Sequence, residues 1–257
     1  MENRITKLFE QKKENILTVF NTAGFPELED TLKVAKNLEA AGVDMLEIGI
    51  PFSDPIADGP VIQQSSSVAL DNGMNLKVLF EQLKELRKEV SIPVLLMGSF
   101  NPIYQFGVEK FCSLCQEVGI DGLIIPDLPF VEFKSKYKAL FDSHNLSNIF
   151  LITPETSDER IRLFDAASDG FLYVVSVSST TGKDLQVSTD TEGYFERLSK
   201  MDLKQPLLVG FGVSNKETFK KAAKHTSGAI VGSAFIKSIE NSQSFEQDIK
   251  GFVQGLR

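Results

Sequence analysis

The chain has 257 residues, 35 acidic against 27 basic side chains, a formal net charge of -8 and 42% hydrophobic residues. That acidity speaks against nucleic acid or an anionic membrane surface as partner, and the length suits one barrel or two ordinary domains. No apolar run approaches the ~20 residues of a membrane span, and the opening MENRITKLFEQKKEN lacks an apolar signal core, so a cytoplasmic protein is expected.

In chain order, a short helix over Ile5 to Gln11 is followed by an alternation of apolar runs rich in Val, Ile and Leu with longer segments whose apolar residues recur every three or four positions. The runs predict strands at Ile16 to Ala23, Met45 to Ile50, Pro93 to Ser99, Gly122 to Pro126, Asn148 to Thr153, Phe171 to Val177, Pro206 to Phe211 and Ala229 to Gly232. Between them lie amphipathic helices, clearest at Leu76, Leu79, Phe80, Leu83 and Leu86, and again at Phe130, Phe133, Tyr137, Leu140 and Phe141. Gly42-Val43-Asp44 and Gly119-Ile120-Asp121 read as helix stops with a left-handed glycine before the next strand.

Eight evenly spaced βα units without a composition break or a G-x-G-x-x-G turn predict a single (β/α)₈ TIM barrel over residues 1–257, its extra N-terminal helix covering the bottom. Cys112 and Cys115 share one helical face with Val108 and Phe111 and read as core thiols. His144 and His225 fall near helix C-termini, where a cation suits the dipole, and neither reads as catalytic.

Active sites of such barrels lie at the C-terminal strand ends. The second strand carries Glu47 among Met45, Leu46, Ile48 and Ile50, a run apolar on both faces. A carboxylate there is costly unless paired, or holds its proton near neutral pH, which suits a general acid/base. The following loop, stiffened by Pro51, Pro55 and Pro60, carries Asp54 and Asp58. Gly210-Phe211-Gly212 and Gly232-Ser233 end the seventh and eighth strands, where barrels commonly hold phosphate on backbone N–H groups. After the sixth strand, the small polar stretch from Ser176 to Thr189 reads as a lid. Phe20, Tyr173 and Phe211 at the strand mouths predict an aromatic pocket, hence a substrate joining an apolar aromatic moiety to a phosphate.

The stretch LEIGIPFSDPIADGPVIQ, Leu46 to Gln63, closely resembles the signature of the tryptophan synthase α-subunit family. Leu123-Ile124-Ile125-Pro126-Asp127-Leu128-Pro129, Thr181-Gly182, Gly210-Phe211-Gly212 and Gly232-Ser233 follow in the family's order. The resemblance implies a lyase that cleaves indole-3-glycerol phosphate to indole and glyceraldehyde 3-phosphate without metal or cofactor, in an α2β2 complex with a pyridoxal phosphate β-subunit. It implies Glu47 as the acid/base at the indole C3 and the glycerol hydroxyl, and Asp58 as acceptor of the indole N–H. It also implies phosphate on Gly182, Gly212, Gly232 and Ser233, and indole against Phe20, Tyr173 and Phe211. Thr181 is then a lid residue near Asp58, and Asp54 a contact to the β-subunit. Two departures stand out: Val177, Ser179 and Thr180 replace the family's usual Arg, Gly and Val in the lid, and Ser99 stands where a Tyr is common. Another phosphate-binding barrel aldolase or isomerase is the alternative, although a Schiff-base aldolase wants a lysine inside an apolar strand and none is present. A non-catalytic activating subunit is a third reading, which the presence of both Glu47 and Asp58 opposes.

Overall fold

The computed structural model describes residues 3–55, 58–176, 189–210 and 212–257. Eight parallel strands close in chain order into a barrel: β1 (Ile16–Thr22), β2 (Met45–Gly49), β3 (Val94–Met97), β4 (Gly122–Ile124), β5 (Ser147–Ile152), β6 (Leu172–Val175), β7 (Leu207–Gly210) and β8 (Gly228–Val231). Every predicted run overlaps its strand, but β5 and β8 begin one residue earlier than predicted, at Ser147 and Gly228, and all eight strands end earlier than expected. Pro93, Pro126 and Pro206 lack the N–H that a ladder needs and lie just outside the paired segments. Val177 and Phe211, placed at strand ends from the sequence, lie outside the described residues.

The helical layer is more divided than one helix per strand. The periodic stretch from Leu76 breaks into Leu76–Leu83 and Leu86–Glu89, and Pro60–Asp71 forms a further helix directly after the β2 loop. Gly107, at φ +96°, separates Phe100–Phe106 from Val108–Val118. The run from Phe130 stays helical to Ser143 but widens into a π turn at Phe133–Tyr137. Cys112 and Cys115 are fully buried, as expected of core thiols, and burial raises both thiol pKa values, Cys112 to about 12.

Register decides which side chains fill the barrel. Alternation along each strand turns every second residue inward. With the observed pairing, Thr18, Leu95, Ile149 and Leu208 from the odd strands form one layer. Glu47, Ile124, Tyr173 and Ile230 from the even strands form the layer above, and Phe20, Met97, Leu151 and Gly210 the next. The helix Arg4–Gln11 lays Ile5 and Phe9 into the same inner cluster from below, next to Ile16, Met45 and Phe171, so the expected bottom cover is in place.

Both Gly-x-Asp pivots do more than stop a helix. Gly42 and Gly119 take φ +93° and +82°, and the aspartate two residues on caps the start of a neighbouring strand. Asp44 accepts from Leu17 N at 2.8 Å and pairs with Lys12 at 2.7 Å and Arg257 at 2.9 Å. Buried Asp121 accepts from Val94 N at 2.9 Å and pairs with Arg87 at 2.6 Å and Arg4 at 3.0 Å. Removing one partner of a buried pair leaves the other charge uncompensated. Asp121→Ala is therefore expected to cost about 3 kcal/mol in urea denaturation, and an unchanged midpoint would refute this role.

Candidate active site

Glu47 is wholly buried in the barrel, and neither carboxylate oxygen has a hydrogen-bond partner among the described residues. Its neighbours in register are Phe20 on β1 and Leu95 on β3, both apolar, so nothing repays the loss of water. Burial alone drives its pKa up to about 8. A carboxyl with that pKa holds its proton at neutral pH and releases it within reach of physiological change, as a general acid/base requires.

This carries a stability cost with a definite sign. Glu47 titrates near 4.5 in an ordinary setting and near 8 in the folded chain, so the folded state holds one extra proton between those values. Stability is therefore full below pH 4.5 and falls as the pH rises towards 8, by roughly 3 kcal/mol at pH 7. Urea denaturation of the parent and Glu47→Gln at pH 4.5 and pH 7 reads this directly. The variant is expected to gain on the parent as the pH rises, and equal pH slopes in the two proteins would contradict it.

Above Glu47 the strand ends open into a cavity of about 240 Å³. Phe20, Ile50, Phe52, Ile62 and Met97 give it apolar walls, and Asp54, Asp58, Ser66, Ser99 and Asp127 supply polar groups. Asp58 is half-buried on this wall, with a pKa raised by burial. Its position follows from the loop: Gly59 and Pro60 open the helix Pro60–Asp71, and Gln63 donates to the Asp58 carbonyl at 2.7 Å. Asp54, on the same loop, is exposed.

Tyr173 shares a layer with Glu47 on the opposite side of the barrel. Its phenol pKa is pushed well up by burial and then by the charges of Glu47 and Asp58. The two carboxyl groups and the tyrosine thus form one electrostatic unit. Two glycines make room for the rings: a Cβ on Gly49 would lie 2.4 Å from the Phe20 ring, and one on Gly210 would lie 2.2 Å from Tyr173. Neither glycine is recognisable from sequence as a partner of an aromatic, because each contact joins different strands.

The structure thus brings Glu47, Asp58, Phe20 and Tyr173 together at the barrel mouth. Phe20 lines the described cavity, whose other apolar walls come from Ile50, Phe52, Ile62 and Met97, while Tyr173 and Glu47 are not among its lining residues. Ile50, Phe52 and Ile62 lie within Leu46 to Gln63 and Met97 ends β3, but as ordinary apolar residues they carry no signal of their own. Gly232 lies beside Phe20, where an added Cβ would sit 3.6 Å from the ring, and opens the helix Ser233–Ile239. Gly212 takes φ +77°. The three described phosphate candidates, Gly212, Gly232 and Ser233, are half-buried beyond the ends of β7 and β8. Phe211, Thr181 and Gly182, with the variant lid positions Val177, Ser179 and Thr180, lie outside the described residues.

A sequence model of the tryptophan synthase alpha chain matches residues 6–255. The tryptophan synthase alpha chain of Flavobacterium johnsoniae is 53% identical over 255 residues, covering 99% of this chain and 100% of the relative. Among solved structures, tryptophan synthase subunit alpha from Legionella pneumophila superposes with a TM-score of 0.90 at 33% identity, covering 100% of this chain and 97% of the other. A chain of Mycobacterium tuberculosis tryptophan synthase gives 0.89 at 25% identity, with coverage of 100% and 97%.

Proposed function

This chain belongs to the tryptophan synthase alpha chain family, and from that premise we propose that Glu47 and Asp58 carry out the family's carbon–carbon lyase reaction at the barrel mouth. That reaction, part of tryptophan biosynthesis, is the retro-aldol cleavage of indole-3-glycerol phosphate to indole and glyceraldehyde 3-phosphate. The observation that carries the assignment is a buried carboxyl without a partner, protonated at neutral pH, beneath an apolar cavity with a second carboxylate on its wall.

The indole ring enters the cavity against Phe20, Ile50 and Met97, and the glycerol phosphate extends towards Gly212, Gly232 and Ser233. Glu47 gives its proton to C3 of the indole. C3 becomes tetrahedral, and positive charge develops on the ring nitrogen. Asp58 accepts the N–H hydrogen bond, and its fixed negative charge acts most strongly when that cation forms. Glu47, now ionised, takes the proton from the hydroxyl on the carbon attached to C3. That carbon becomes the aldehyde, the bond to C3 breaks, and its electron pair returns to the ring to neutralise the nitrogen. Each proton and electron pair is accounted for, and Glu47 ends protonated as it began.

Gly182 completes the phosphate site, and Thr181 closes over Asp58 from the lid. Tyr173 and Phe211 complete the aromatic side of the pocket. Alpha chains of this family pair with a β-subunit, and Asp54, exposed on the loop that holds Asp58, is the contact that joins this chain to it in an α2β2 complex. A cytoplasmic location suits an enzyme acting on a phosphorylated metabolite, and among the described residues no helix is long and apolar enough to cross a membrane.

Incubation with indole-3-glycerol phosphate, alone and with the β-subunit, tests the function. Indole and glyceraldehyde 3-phosphate are expected to appear one for one. Absence of indole in both incubations would reject the assignment.

A further inference from the structure

Thr18 belongs to the barrel layer directly beneath Glu47, on the adjacent strand. In the β1–β2 register Thr18 faces Met45 and Phe20 faces Glu47, so the inward side chains of Thr18 and Phe20 flank Glu47 from below and above. The corresponding flanking positions on β3 are Leu95 and Met97. Thr18 is therefore the one polar side chain that the two neighbouring strands place beside the carboxyl. It is also fully buried, and its hydroxyl has no hydrogen-bond partner among the described residues.

Three buried polar atoms on neighbouring inward positions of β1 and β2, the Thr18 hydroxyl oxygen and both oxygens of Glu47, thus lack a hydrogen-bond partner, and none bonds to another. Buried polar groups are almost always paired, and an orphaned one costs free energy. A threonine gains nothing here as packing, because valine has the same shape without that cost.

We propose that Thr18 is a positioning residue for Glu47, its hydroxyl donating a hydrogen bond to the ionised carboxylate formed after the proton has gone to substrate. The proposal rests on Glu47 being the acid/base. The bond favours the charged form and opposes the desolvation that burial imposes. It keeps the proton affinity of Glu47 low enough for the carboxyl to act as acid in the first step, yet leaves the anion basic enough to take the hydroxyl proton in the second. The titratable groups facing Glu47 among the described residues are Tyr173, in its own layer, and Asp58, above. Both act on the site as charges, whereas Thr18 acts as a neutral donor.

The test is a carboxyl-carbon NMR titration of Glu47 in the full-length chain, assigned by its loss in Glu47→Gln. In Thr18→Val the Glu47 pKa is expected to rise by about one unit, because the anion loses its donor. Thr18→Ser, which keeps the hydroxyl, stays with the parent, and Thr18→Ala moves with the valine variant. The same substitutions lower kcat with little change in KM, and Thr18→Ser restores it. An unchanged or lowered Glu47 pKa in both Thr18→Val and Thr18→Ala overturns the inference. If instead Glu47→Gln cleaves substrate at the parent rate, the acid/base reading fails while the Thr18 titration result stands by itself.

Discussion

Glu47→Gln releases indole from indole-3-glycerol phosphate about 10²- to 10⁴-fold more slowly than the parent at saturating substrate, the range for loss of a positioned acid/base. The amide keeps the shape of the carboxyl but can neither give a proton to C3 nor take one from the hydroxyl. Both kcat and kcat/KM therefore fall, while KM stays near the parent value because no binding contact of the ground state is removed. Unfolding cannot account for the loss. Burial makes ionised Glu47 a stability burden, so the variant is expected to be the more stable protein at pH 7. A site that gains stability when its acid is neutralised and loses turnover by the same change has the signature of strain retained for function.

Asp58→Asn has the next largest effect, with kcat falling by about 10²- to 10³-fold, as when one preorganised electrostatic partner of a transition state is lost. The asparagine carbonyl can still accept the indole N–H, so binding suffers less than turnover. What disappears is the negative charge opposite a cation that exists only during reaction. Stopped assays at several substrate concentrations separate the two effects: a raised KM with unchanged kcat would reduce Asp58 to a binding residue. Asp54→Asn provides the contrast. Asp54 is exposed on the same loop, so the isolated chain keeps its rate within a few-fold, and the deficit appears only when the β-subunit is added.

The barrel and the principal carboxylates were legible in the sequence for different reasons. The strands stood out because parallel strands covered on both faces read as unbroken apolar runs, and Glu47 stood out because it interrupts one. Asp58 was legible from the prolines that stiffen its loop. Contacts between strands left no mark. The seating of Phe20 over Gly49 and of Tyr173 over Gly210 depends on register, which no single segment encodes. Thr18 was invisible for the same reason: in β1 it is one β-branched residue among several, and only the pairing with β2 sets it beside Glu47. The Gly-x-Asp pivots read only as helix stops, because the ion pairs of their aspartates with Arg87 and Arg257 join segments far apart in the chain. Ile50, Ile62 and Met97, which wall the cavity beside Phe20, carry no signal in the sequence, because their place in the site comes from where the strands end.

The central claim is that a proton held by buried Glu47 starts the reaction. The pH dependence of kcat/KM for indole release, measured on the parent between pH 6 and pH 10, tests it most directly, since this parameter reports ionisations of the free enzyme. The rate is expected to fall along an alkaline limb centred near the Glu47 pKa of about 8, as the acid form is lost. A rate that stays level through that range, or rises with the ionisation of Glu47, would contradict the assignment.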